Sequence, residues 1–178
     1  VVSRIKQYVL RAHALDKIEM LARILQADER GPTIVFCRTK RTCQKTSDDL
    51  AERGFRAASI HGDLGQSARE KALNDFKAGK SDVLVATDVA ARGIDIDGIT
   101  HVINYQCPED EKTYVHRIGR TARAGADGIS VTFVDWDDLA RWKMIDTALT
   151  LGLGEPEETY SSSEHLYEIL NIPAGSTG

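Results

Sequence analysis

The sequence predicts an open α/β domain, a mostly parallel sheet with helices on both faces. Three observations lead there. Short runs rich in Val and Ile, such as TIVFC (33–37) and DVLVA (82–86), are apolar throughout, as strands covered on both faces must be. Segments with helical spacing of apolar residues alternate with those runs, the pattern of a parallel sheet. Gly54 and Gly79 stand where two of the helices should stop, as left-handed caps that glycine adopts cheaply.

Taken in order, IKQYV (5–9) reads as a weaker strand and 14–27 as a helix. TIVFC is followed by a helix over 40–53, AASI (57–60) by a helix over 66–78, and DVLVA by a long polar loop. HVINY (101–105) precedes a helix over about 110–119, and ISVTFV (129–134) precedes one over 136–151. These elements make one domain, 1–150. Beyond it, GLGEPEETYSSSEHLYEILNIPAGSTG mixes Pro, Gly, Ser and acid, so 151–178 reads as a partly disordered extension. A short helix is expected there at 164–170, capped by Ser163, with the last five residues disordered.

At 178 residues and 42% hydrophobic, the chain can bury one well-packed core. No apolar stretch approaches the roughly 20 residues of a membrane span, and VVSRIKQYVL lacks the layout of a signal peptide. A soluble, cytoplasmic protein with no membrane partner is expected. Cys37, Cys43 and Cys107 have no zinc-ligand spacing and read as reduced thiols, so no metal site is expected. The first residue is Val rather than Met, which reads as a piece of something longer. The net charge of −4 is unevenly spread: Asp135 to Glu168 carries −7, and the residues before it carry +3. Two windows, 38–45 and 112–126, hold four Lys or Arg each and no acid. Such local fields matter more than the sum for an anionic partner.

Open α/β sheets bind ligands beyond the carboxyl ends of their strands. Here those ends run into RTKR, HGD, TDVAARGID and QCP, so polar, glycine-containing and cationic groups collect along one rim. Turn formation alone could account for any single one of these loops. The segment AGKS (78–81) resembles the tail of a P-loop, but position 74 is Asn where the first Gly belongs, and it closes a helix instead of opening one. A helix cap on Gly79 explains it. No other segment supplies a P-loop, so this chain alone should not hydrolyse a nucleotide. HRIGRTARAG (116–125) places Arg117, Arg120 and Arg123 three apart, with no acid between Glu111 and Asp127. If the helix continued they would form one stripe of mutually repelling charge. That cost makes sense if an external polyanion arrives, since a guanidinium can stabilise charge on a transferring phosphoryl group; a solvated basic face is the bland alternative.

These segments resemble the DEAD-box ATP-dependent RNA helicases. HRIGRTARAG is similar to their motif VI, ATDVAARGIDI (86–96) to motif V, IHGDLGQSAR (60–69) to the HG-x-x-x-Q-x-x-R block, and IVFCRTK (34–40) to motif IV, in the family's order. The resemblance covers roughly residues 1–150 and implies the second, C-terminal RecA-like domain. The first domain would carry the P-loop and would hold most of Mg-ATP. The resemblance implies Arg120 and Arg123 as fingers on the γ-phosphate, with His116 and Arg117 coupling ATP to the domain interface. It implies Asp95, beside Gly93, as the acid that takes the ribose hydroxyls, although a solvated loop carboxylate is the plain alternative. Along an RNA track it implies Thr87, His61, Gly62 and Arg69, with Arg38 and Thr39 at the end of the first central strand; Arg69 could instead pair with Asp63 or Glu70. Arg92 is expected to brace its loop through a carboxylate. Two departures stand out. Ala122 replaces a usual Gly, tolerable if its φ is negative, and Arg38 replaces a small polar residue, which could add a phosphate contact. The implied partners are RNA, read through its backbone, and the N-terminal RecA-like domain. A superfamily 2 DNA motor and a non-catalytic RNA-binding or docking module are the rival readings.

Overall fold

The computed structural model describes residues 2–177. Its elements are β1 (Ile5–Ala12), α1 (Lys17–Ile24), β2 (Thr33–Cys37), α2 (Lys40–Glu52), β3 (Ala57–Ile60), α3 (Gln66–Lys77), β4 (Val83–Thr87), β5 (His101–Asn104), α4 (Glu111–Ile118), β6 (Gly128–Val134), α5 (Leu139–Leu149), β7 (Glu157–Thr159) and α6 (Glu164–Leu170). The seven strands form one sheet in the order β3-β4-β2-β5-β6-β1-β7, and every pairing is parallel. Gly54 and Gly79 do take left-handed φ values of 96° and 79° after α2 and α3.

Alternate residues of the apolar strands feed opposite faces. Val35, Val85, Ile103 and Val131 pack with Met20, Leu21, Ile24 and Leu50 of α1 and α2. Their neighbours Ile34, Leu84 and Val102 pack with Phe76 of α3 and with Ala90, Ala91 and Ile94 of the loop after β4. A third cluster joins Tyr114 and Ile118 of α4 to Trp142 and Ile145 of α5, where Tyr114 and Trp142 meet edge to face at 5.2 Å. Burial on both sides is what a parallel sheet requires, and it explains the unbroken apolar runs.

The topology places a crevice at β2. After β2 the chain moves outward to β3, returns to β4, then crosses to β5 on the other flank of β2. Loops leaving β4 and β5 therefore diverge above the carboxyl end of β2, the switch point where such sheets bind ligands.

The segment after residue 150 differs from the expected extension. β7 lies parallel to β1, with Leu10 opposite Glu157 and Ala12 opposite Thr159. Leu166 and Leu170 of α6 and the following Ile172 are buried in the main core. EET has no apolar pattern to announce a strand; backbone pairing to β1 makes it one. Ser163 occupies the cap position of α6 without a side-chain bond to the helix, and its Oγ accepts from the Tyr160 N–H instead. Disorder expected at 174–178 meets ordered contacts: the Thr177 carbonyl accepts from Gln26 and that of Ser176 from the Tyr167 hydroxyl. Gly178 lies outside the described residues. The three cysteines are buried, which pushes their thiols up to about 12 for Cys37 and Cys43 and about 11 for Cys107, far from reactive. Among the described residues no helix is long and apolar enough to cross a membrane.

His101 opens β5 fully buried, with Nδ1 2.7 Å from the Thr100 hydroxyl and Nε2 without a partner. Burial, with a smaller contribution from the Arg30 charge, pushes its pKa down to about 4. The unfolded chain takes up that proton near pH 6.5, so the stability from a neutral His101 is complete above that pH and falls away toward pH 4. Urea unfolding should show this loss, on the order of 3 kcal/mol at its limit, and His101→Gln should remove that part of the pH dependence.

Candidate functional site

Every rim segment singled out in the sequence follows a strand of the β3-β4-β2-β5 half of the sheet or rides on α4, which follows β5. α4 starts cleanly, because the Asp110 side chain caps it by accepting from the Thr113 N–H at 2.8 Å. It ends at Ile118, before the second arginine. Gly119 leaves the helix, Arg120 and Thr121 bond back to the carbonyls of Arg117 and Ile118 in tighter turns, and the Thr121 hydroxyl donates to the Ile99 carbonyl. Thr121 also packs on Gly128, where a Cβ would lie 2.5 Å from its Cγ2. The three-arginine stripe therefore does not form.

Each arginine has its own environment instead. Arg117 is 1% exposed. Its Nε and Nη2 donate to the two carboxylate oxygens of Asp88 at 2.8 Å each, and Nη1 donates to the Gln106 carbonyl at 2.8 Å and to Asn104 Oδ1 at 3.3 Å. The guanidinium also sits 5.4 Å over the Phe36 ring. Arg120 is half-buried and donates through Nη1 to the Ile94 carbonyl at 2.7 Å and through Nε to the His116 carbonyl at 3.2 Å. Arg123 pairs with Asp95 and lies 3.8 Å from Asp97, both acids well exposed. A cavity of about 130 Å³ gathers His116, Arg117, Arg120 and Arg92 with Asp88, Thr113, Phe36 and Ala91. His116 is exposed at its mouth.

The loop after β4 is held from both sides. Thr87 is buried and its carbonyl accepts from the Ala91 N–H. Gly93 takes φ 77°, a left-handed turn that lets the chain double back toward Asp95. Arg69, on α3, donates to the carbonyls of Ala90 and Arg92 at 3.0 and 3.2 Å, so it pairs with neither Asp63 nor Glu70. Arg92, expected as the brace, is exposed and offers only its carbonyl to that contact; Asp88 is instead the partner of Arg117.

At the end of β2, Arg38 is engaged by the protein itself. Its Nε donates to the Cys107 carbonyl at 2.8 Å and its Nη2 to Asp138 at 2.9 Å, an internal brace between β2 and the turn before α5. Thr39 caps α2, its hydroxyl accepting from the Thr42 N–H. Lys40 pairs with Asp63 at 2.8 Å, and that contact holds the Asp63 carboxyl below its usual range. His61 is buried with Nε2 2.7 Å from Gln44 Oε1, and Gly62 beside it is exposed, with open space where a side chain would stand. Ala122 has φ 57° and Ala124 φ 55°, so the negative φ that would make Ala122 an easy replacement for Gly is absent. Sequence reasoning assigned no role to Asp88, Gln44, Gln106 or Asp138. Asp88 and Gln106 had a signal, since each opens a polar segment that follows a strand onto the binding rim.

The arrangement offers a compact set of guanidinium and imidazole groups beside an exposed acid, the chemistry of a polyphosphate with a hydroxylated end. The family described as helicase conserved C-terminal domain matches residues 16–125. The ATP-dependent RNA helicase CshA of Listeria monocytogenes serovar 1/2a is 48% identical over 142 residues, which is 80% of this chain but 27% of that protein. The chain thus spans about a quarter of the length of the curated relatives it matches. Among solved structures, the C-terminal domain of the DEAD-box protein Dbp5 aligns with TM-score 0.82 and 31% identity, covering 96% of this chain and 99% of that one. Saccharomyces cerevisiae Dbp5 bound to RNA and ADP BeF3 aligns with TM-score 0.80 and 31% identity over 94% of this chain and 45% of that one. By sequence, motif order and fold, this chain belongs to the DEAD-box RNA helicases, as their C-terminal RecA-like domain.

Proposed function

We propose that the chain is the catalytic complement of a P-loop domain in an ATP-dependent RNA helicase, supplying arginine fingers and half of an RNA track. The observation that carries this reading is the unequal cost of freeing the three arginines. An exposed ion pair such as Arg123–Asp95 contributes about 0–1 kcal/mol, so exchanging Asp95 for a phosphate is cheap. Arg120 uses two of its five N–H donors on carbonyls and keeps the others for an incoming anion. Arg117 is buried and Asp88 partly solvated, so separating them would leave a buried guanidinium short of its partner at a cost on the order of 2 kcal/mol, and this argues that Arg117 stays where it is. Arg120 and Arg123 are thus the fingers, Arg117 is a positioning residue, and Asp95, released by Arg123, takes ribose hydroxyls.

His116, at the cavity mouth, would link these contacts to the neighbouring domain. Thr87, His61, Gly62 and Thr39 stand at the ends of adjacent strands, where hydroxyl and backbone N–H groups suit a sugar-phosphate chain. Arg69 and Arg38 serve that surface indirectly, by holding the loops after β4 and β5. Closure of the two domains around ATP would complete the track and bend one RNA strand away from its partner. Mg²⁺ would belong to the P-loop domain. RNA and ATP meet in the cytoplasm, the compartment this reading implies.

Three outcomes test this function. In the full-length helicase, Arg120→Ala and Arg123→Ala should each lower RNA-stimulated ATP turnover about 10³-fold or more while leaving the circular dichroism of the domain unchanged; retained turnover in both removes the finger assignment. Asp88→Ala should lower the domain's stability on the order of 2 kcal/mol in urea unfolding, less than for a wholly buried pair because Asp88 is partly solvated; an unchanged midpoint would deny Arg117 its positioning role. The isolated chain should bind single-stranded RNA weakly and without response to ATP, whereas tight binding with a steep salt dependence would favour the non-catalytic module.

A further inference from the structure

The rim continues past the proposed helicase site, and its other half carries a different chemistry. β6, β1 and β7 are neighbours in the sheet, so the residues that follow them stand side by side. His13 after β1 is flanked by Trp136 after β6 and Tyr160 after β7. The His13 and Tyr160 rings stack at 4.6 Å with 18° between planes, and His13 and Trp136 meet at 4.5 Å and 45°. The Arg11 guanidinium lies 4.8 Å over the Trp136 ring. Glu158 locks the set, its Oε2 lying 3.0 Å from His13 Nε2 and accepting from the Tyr160 hydroxyl at 3.2 Å. Asp16 ties the next turn down by accepting from the Ser161 N–H and hydroxyl.

These rings are held yet uncovered. Trp136 is 45% exposed, Tyr160 42% and Leu15, two residues from His13, 97%. Trp136 and Tyr160 come from two separate loops and meet on His13, with Leu15 exposed nearby in the chain; rigid Trp and Tyr are the usual anchors of an interface. None of them touches the arginine cluster.

Charge decides between possible occupants. The three loops carry Asp16, Asp135 and Asp137, and the adjoining β7 carries Glu157 and Glu158; all but Asp16 lie in the stretch that is net −7 from Asp135 to Glu168. Two cations stand among them, Lys17 buried on Asp135 at 2.6 Å and Arg11 over the Trp136 ring, so the acids remain in excess. Asp137 is exposed. A phosphate backbone would be repelled here, and a basic segment would be steered in. Trp136 already carries one guanidinium on its ring, which shows the chemistry its exposed remainder can repeat.

We propose that His13, Trp136 and Tyr160 form a docking site for an arginine-bearing basic segment of a partner polypeptide. An incoming guanidinium stacks on the exposed surface of Trp136 or Tyr160, Asp137 and Glu158 balance its charge, and Leu15 covers its aliphatic stem. Arginine is favoured over lysine because its planar group stacks on rings.

Titration of this chain with an arginine-rich peptide, followed by tryptophan fluorescence and by amide chemical shifts, tests the proposal. Trp142 is buried, so Trp136 dominates any change in emission. Saturable binding is expected, about fivefold tighter than for the lysine counterpart of equal charge. It should weaken about tenfold in Trp136→Ala and in Tyr160→Ala, and similarly in Asp137→Lys, a surface change with no core to disturb. Met144→Ala, exposed on α5 away from the patch, should leave it unchanged. Equal affinity in Trp136→Ala and Asp137→Lys would mean general attraction to an acidic protein and would overturn the site. So would oligouridine binding that disappears in Trp136→Ala, which would make the patch a base platform, or self-association of the chain abolished by the same substitution.

Discussion

The contact on which the rest depends is the two-pronged bond between Arg117 and Asp88. It joins α4 to the end of β4 across the carboxyl end of β2, and Asn104 and Gln106 bring β5 and its following loop into the same knot. A guanidinium with 1% exposure is affordable only when nearly all of its donors are occupied, and here they are. Once that knot is tied, α4 cannot lean away from the sheet, and the turn after it must deliver Arg120 to the Ile94 carbonyl and Arg123 to Asp95.

Desolvation thus separates three chemically identical side chains: Arg117 is buried, while Arg120 and Arg123 keep part of their surface in solvent. The same sorting recurs at the edges of the site. Arg69 spends its charge on two backbone carbonyls of the loop after β4, and Arg38 spends its own on Cys107 and Asp138. Both brace the loops at the carboxyl ends of the strands. Preorganised loops of this kind lower the ordering cost of binding.

Much of this was legible in the chain. The parallel α/β architecture followed from unbroken runs such as TIVFC and DVLVA, because burial on two faces leaves no room for alternation. The ordered motifs pointed to the carboxyl-end rim, since three of them run out of a strand and HRIGRTARAG ends the helix that follows β5. What was hidden depended on partners distant in sequence. Spacing of three suggested a helical stripe, but periodicity cannot register that Asp88, 29 residues away, draws Arg117 inside, or that Thr121 must tuck against Gly128. Arg38 looked like a cation facing outward until the turn before α5 supplied Asp138. β7 was hidden because three residues, two of them Glu, carry no pattern of their own and become a strand only against β1. Backbone sign was equally invisible: nothing in the letters of RTARAG tells that two alanines take positive φ.

That last short strand has a consequence for how the molecule survives in concentrated solution. Without it, the eight residues of β1 would form the outermost edge of the sheet, presenting a long row of unpaired backbone groups flanked by Tyr8, Val9 and Leu10. β7 pairs with Leu10 to Ala12 only, so at that end the border is three residues long and carries Glu157 and Glu158, both exposed, while the stretch from Ile5 to Val9 keeps its edge. Brevity and like charge are the means by which natural sheets discourage neighbours from adding strands end on end. The tail of this chain therefore shortens the open edge of β1 and caps its carboxyl end with acid.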